Sequence, residues 1–87
     1  LQQAKEIPAR MQKMGEELKA RRVYGESGGV KVEMNGLTEV LAIDIAGALV
    51  GDKAGLENHV RVAVNLAAAQ ARQLHAEAMK QVTGGMS

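Results

Sequence analysis

The side chains of this sequence that could do chemistry are cations. Lys5, Arg10, Lys13, Lys19, Arg21 and Arg22 fall within residues 1–22, six positive charges against three from Glu6, Glu16 and Glu17. Further on, Arg61 and Arg72 are eleven residues apart, which on a helix is about three turns. They would share a face with Asn65, and Lys80 lies within about 100° of it. Cations so spaced can meet successive phosphates as point charges. The same residues also read as an ordinary solvated helix face, and the six N-terminal cations are spread round their axis. Stacking on unpaired bases is a poor alternative, because Tyr24 is the only aromatic residue.

Other chemistries find no constellation. The chain has no cysteine, so thiolate nucleophiles, thiolate metal sites and disulfides are excluded. Its only serines are Ser27, in a glycine turn, and Ser87. His59 and His75 would sit about 160° apart on one helix, so they do not converge on a metal, and both read as solvent-facing. His75-Ala76-Glu77 lacks the second histidine of a zinc helix. Asp44 and Asp52 belong to different elements and form no acid–base pair. Gly28-Gly29 opens no helix and Gly84-Gly85 follows one, so neither is a phosphate loop. The expectation is a protein that is not an enzyme and uses no cofactor or metal. No apolar run reaches the length of a membrane span. Residues 1–14 carry charges throughout and lack the apolar stretch of a secretory signal, so the expected location is the cytoplasm.

The elements that must position these cations follow from periodicity. With 87 residues the chain is expected to form one domain, with a helical arm over 1–22, a sheet over 23–50 and a long helix over 52–82. Ile7, Met11, Met14 and Leu18 step by four, three and four, which is one helical stripe. Pro8 makes the helix begin near it or kink there, and Gly15 weakens it by about 1 kcal/mol relative to alanine. Val30, Val32 and Met34 then alternate with Lys31 and Glu33, as in a half-buried strand. Asn35-Gly36 reads as a type I′ hairpin turn, with Leu41, Ile43 and Ile45 alternating on the returning strand. A strict two-residue loop there would put Glu39 on the face of Val32, which calls for a longer loop or a bulge. With Val23-Tyr24 first, the expectation is a three-stranded antiparallel meander in an α+β, α-β-β-β-α protomer.

Asp52 is placed to cap the last helix. There Leu56, Val60, Ala63, Ala67, Ala71, Leu74, Ala78 and Val82 form the main apolar stripe. Val62, Leu66 and Ala69 form a second patch about 140° round the axis, read as a dimer contact because no layer of the same chain is left to cover it. A core this small, without disulfides, favours oligomerisation. Net charge is +1, but it is unevenly distributed. Residues 23–51 hold Lys31 against Glu26, Glu33, Glu39 and Asp44, while residues 52–87 hold four cations against three acids. Both ends are positive and the middle is negative.

These segments in this order resemble the YbaB/EbfC family of bacterial nucleoid-associated proteins. The resemblance lies in the Gln/Lys/Met-rich first helix, Gly25-Glu26-Ser27-Gly28-Gly29 and Val30-Lys31-Val32-Glu33-Met34-Asn35-Gly36. In the last helix it continues through Leu56-Glu57, Asn65, Ala67, Met79 and Thr83-Gly84-Gly85. Two departures stand out: Ile45-Ala46-Gly47 replaces the usual Ile-Asp-Pro, and Leu66 replaces the Asp after the helix Asn. The resemblance implies a tweezer-like homodimer that binds double-stranded DNA and organises the nucleoid or regulates expression. It points to Lys5, Arg10, Lys13, Lys19, Arg21 and Arg22 as DNA contacts, followed by Arg61, Arg72 and Lys80. The competing expectation is a protein-interaction module that uses the methionine-containing stripe of the first helix as a docking ligand.

Overall fold

The computed structural model describes residues 2–84, with side chains from 8 to 82. Helix α1 (Gln2–Ala20) leads into an antiparallel meander of β1 (Arg22–Ser27), β2 (Val30–Asn35) and β3 (Val40–Ile45), in the order β1-β2-β3. A 3₁₀ turn at Gly47–Leu49 then precedes α2 (Lys53–Gly84). The fold is α+β, as expected. Pro8 neither starts nor ends α1, which begins at Gln2 and runs through it.

The tight two-residue turn expected at Asn35-Gly36 lies instead in the first hairpin. Gly28 (φ 52°) and Gly29 (φ 98°) form the two-residue connection, with Ser27 paired to Val30 and both φ angles positive as a type I′ turn needs. Asn35-Gly36 does not form such a turn. It opens a longer one in which Thr38, at φ 66°, carries the left-handed conformation. Asn35 is buried at 1% exposure, and its side chain builds this turn. Its Oδ1 accepts from the Leu37 and Glu39 amides at 2.9 and 3.0 Å, and its Nδ2 donates to Glu39 Oε1 at 2.7 Å. The amide of Asn35 donates to the Glu39 carbonyl at 3.0 Å.

The sheet also contains the irregularity that the pattern required. Glu33 pairs with Ala42 but Met34 pairs with Val40, so Leu41 is an extra residue on β3. As a result Val40, Ile43 and Ile45 share the inward face with Met34, Val32 and Val30, where simple alternation places Leu41.

Helix α2 starts at an Asp52 cap, whose Oδ1 accepts from the Gly55 amide at 3.0 Å. Ala63, Ala67 and Ala71 are fully buried against the sheet, together with Val30, Val32 and Met34. Burying each large side chain contributes about 1.5–3 kcal/mol. Gly25 of β1 makes this packing possible, since a Cβ there would lie 1.9 Å from the Ala63 carbonyl oxygen and 2.7 Å from the Ala67 nitrogen. Seated in this way, α2 packs on β1 and β2 but not appreciably on β3. The expected half-burial of β3 does not occur, and all six of its residues are exposed, Ile43 at 46%.

The molecule is long and narrow, 61 × 19 × 13 Å, with a radius of gyration of 17.1 Å. A compact chain of this size has about 12 Å. Gly25→Ala is expected to lower stability by about 3 kcal/mol or to prevent folding, since the obstructing atoms are backbone. Gly15→Ala, at a helical position with nothing within 4 Å, should leave stability unchanged or raise it by up to about 1 kcal/mol. Urea unfolding of the two variants checks the pair.

Candidate nucleic-acid interface

The cations of α1 are carried on an arm built from both helices. Met14 and Leu18 line a cleft with Leu74, Ala78 and Gln81 of α2, and Arg10, Lys13 and Met14 line a second with Ala78, Gln81 and Val82. Lower numbers on α1 therefore meet higher numbers on α2, as in an antiparallel helix pair. Leu18, at 4% exposure, is the one buried side chain among those described in α1, and residues 8–13 are exposed.

Arg10, Lys13 and Lys80 are exposed on this arm, and Lys19 and Arg21 are exposed at its base. The Lys5 side chain lies outside the described residues. Arg22 is differently placed, since its guanidinium donates to the Lys19 and Arg21 carbonyls at 3.1 and 3.3 Å and lies 3.3 Å from Glu33. A cation at that point satisfies carbonyls at the negative end of the helix. Arg61 sits towards the other end of α2 and donates to Asn58 Oδ1 at 2.7 Å. Arg72, with His75, Ala71 and the Gly36–Thr38 turn, lines an open cavity of about 460 Å³. The cations thus form one group along the arm, with Arg72 beside the β2–β3 turn and Arg61 apart.

The outer sheet face has the opposite character. Tyr24, Lys31, Glu33, Ala42 and Asp44 share one shallow surface, with Glu26 beside Lys31. The Lys31 ammonium is 4.0 Å from Glu26 and 4.9 Å from the centre of the Tyr24 ring. The only aromatic ring is therefore covered by a cation on an acidic sheet, which is a poor platform for bases. Among the described residues no three His, Asp or Glu side chains come together as a metal site, and no helix is long and apolar enough to cross a membrane.

One histidine departs from its expected place. His75 is exposed, but His59 is half-buried, with Nδ1 2.8 Å from Ser27 Oγ and its ring against Gly28. It pins the β1–β2 turn to α2, a contact that spacing along one helix could not reveal.

The whole-chain comparisons agree with this architecture. The family model described as the YbaB/EbfC DNA-binding family matches residues 1–86. The chain belongs to the YbaB/EbfC DNA-binding family. It is 37% identical over 91 residues to the nucleoid-associated protein DP1429 of Desulfotalea psychrophila, covering 100% of this chain and 86% of that protein. It is 40% identical over 90 residues to a nucleoid-associated protein of Chloroflexus aurantiacus, covering 99% and 90%. The crystal structure of the uncharacterized protein HP0035 from Helicobacter pylori matches the fold with a TM-score of 0.79 at 22% identity, over 95% of this chain and 87% of that one.

Within this member of the YbaB/EbfC family the two departures from the family pattern occupy mild positions. Ala46 is extended, its amide donating to the Gly29 carbonyl at 2.8 Å, and leads into the 3₁₀ turn without a proline. Leu66 is exposed at 46%. The bonding of Arg22 distinguishes it from its neighbours. Arg22→Ala is expected to cost about 0.5–1 kcal/mol in urea unfolding, and Lys19→Ala less than half of that.

Proposed function

We propose that this chain binds double-stranded DNA as a homodimer, mainly through Lys/Arg–phosphate contacts, and organises the bacterial nucleoid or regulates expression within it. The observation that carries this reading is the separation of charge by element. Residues 2–21 carry five cations against Glu6, Glu16 and Glu17 and form a helical arm that extends beyond the sheet, whereas on the strands Glu26, Glu33 and Asp44 outnumber Arg22 and Lys31. Curated relatives named as nucleoid-associated proteins support the same reading. Phosphate contacts position a protein without reading sequence, so base preference is expected to be weak.

Two apolar strips support self-association. The larger is the inward face of β3, where Val40, Ile43 and Ile45 lie beyond the reach of α2 on an edge strand with one side unpaired. The smaller is the strip read from the sequence, where Val62 is half-buried while Leu66 and Ala69 are exposed. At 100° per residue this strip lies on the flank of α2 away from Val64 and Ala68. The β3 face is the preferred dimer contact because it joins several large side chains to an open strand edge. Sedimentation of Ile43→Asp and Leu66→Asp separates the two. Ile43→Asp should yield monomers at micromolar concentration and Leu66→Asp should not; the reverse result assigns the contact to Val62, Leu66 and Ala69.

The DNA reading is tested by anisotropy titration of a duplex of about 30 base pairs at several salt concentrations, beside a scrambled duplex. The expected log–log slope is near −0.9 per phosphate contacted and similar for both. Reversing Lys13, Lys19 and Arg21 to Glu should weaken binding by about tenfold or more at low salt and flatten the slope. Failure of the folded wild-type dimer to bind at low salt would reject the reading. It would favour an interaction module using the exposed Met11 strip of α1 instead.

A further inference from the structure

The cations of α1 can reach phosphates together only if the helix is held at a defined angle to the body; α1 shares clefts with α2 as far as Arg10 and Val82, but its burial is concentrated at Leu18. Leu18 is its single buried described side chain, Met14 is half-buried, and residues 8–13 are exposed. From Leu18 to the start of α1 at Gln2 the helix extends about 24 Å, so tilting it by about 10° would move that end by about 4 Å. The direction of the arm is therefore sensitive to the contacts made close to Leu18.

Besides α2, the β2–β3 turn touches α1 there. The Gly36 amide donates to the Leu18 carbonyl at 2.8 Å. A Cβ on Gly36 would lie 2.7 Å from that oxygen, 3.0 Å from Leu18 Cδ2 and 3.1 Å from Leu18 Cα. Gly36 does not have positive φ, so glycine is required here by proximity and not by backbone conformation. The turn is braced from within, since buried Asn35 uses both its amide oxygen and its amide nitrogen on Leu37 and Glu39. None of these bracing bonds involves α1. On the other side of the junction, Arg22 joins the Lys19 carbonyl in the last turn of α1 to Glu33 of β2.

From this we infer that the Asn35–Glu39 turn is a positioning site that aims the α1 arm at DNA, with Gly36 as its bearing surface and the Asn35–Glu39 side-chain pair as its brace. The inference rests on the proposed DNA-binding role of α1. Its consequence is that uncharged residues of the turn, which need touch no phosphate, control affinity by setting the angle at which the cations are presented.

The absence of cysteine permits a direct test. Nitroxide labels on Gln12→Cys and Gln73→Cys, both at exposed positions, report the α1–α2 distance by pulsed electron resonance, with labelled chains co-refolded in excess unlabelled chain. Gly36→Ala is expected to shift or broaden that distance by about 3 Å or more, which corresponds to a tilt of about 20° over the roughly 9 Å of helix between Leu18 and Gln12. It should also weaken duplex binding by about fivefold or more at low salt. Gly47→Ala, at a glycine with nothing within 4 Å, should change neither.

If Gly36→Ala does not fold, Asn35→Asp takes its place. It keeps the acceptors for the Leu37 and Glu39 amides but sets two carboxylates against each other. Adding Glu39→Gln restores a donor–acceptor pair and should restore both distance and affinity. An unchanged distance in folded Gly36→Ala, or no rescue by Glu39→Gln, overturns the inference. A shifted distance with unchanged affinity also overturns it, provided that the Lys13/Lys19/Arg21 reversal does weaken binding. If that reversal has no effect, the DNA role of α1 is what fails, and the distance alone decides whether the turn aims the arm.

Discussion

The backbone of β1 meets the backbone of α2 at Gly25, and the position of every other element is tied to that approach. Only hydrogen can occupy the space between Gly25 and the Ala63 carbonyl, and only alanines along α2 let the helix come so near. The gain is close packing over Val30, Val32 and Met34, which a small core without aromatic residues needs. The consequence is lateral. A helix seated over β1 and β2 leaves β3 open and projects its C-terminal half past the sheet, where Leu74, Ala78 and Val82 receive α1.

This arrangement also sorts the charges. Glu26, Glu33 and Asp44 face out from the sheet among Lys31 and Arg22, which partly neutralise them. The arm receives Arg10, Lys13 and Lys80, with Lys19 and Arg21 at its base, and these outnumber Glu16, Glu17 and Glu77. The net charge of +1 hides this, because an average over a long thin molecule says little about the field at one end. Near-neutrality is therefore compatible with a polyanion-binding arm.

At the junction between arm and body, two residue types have tasks other than those their chemistry first suggests. Arg22 closes the end of α1 and links it to β2. Asn35, read as half of a tight hairpin, is instead the buried brace of a longer turn whose next residue supports α1. In both cases a polar group near the base of the arm governs geometry, leaving charge presentation to residues further out.

The sequence by itself determined the kinds of element, their order and the inward residues of β2 and α2. Those properties rest on local periodicity, on the Asp52 cap and on alternation through Val30–Met34, and each is written in neighbouring residues. It also determined the charge contrast between ends and middle, and the ordered motifs that place the chain in its family. The bulge was legible as a conflict of register, though not as an extra residue at Leu41. Tertiary structure alone decided which glycine pair makes the two-residue turn, how far across the sheet α2 sits, and hence that β3 is uncovered. It also decided that His59 meets Ser27 and that Arg22 is engaged. Each of these is settled by a contact between residues distant in the chain or by the geometry of close approach, and neither leaves a mark in local spacing.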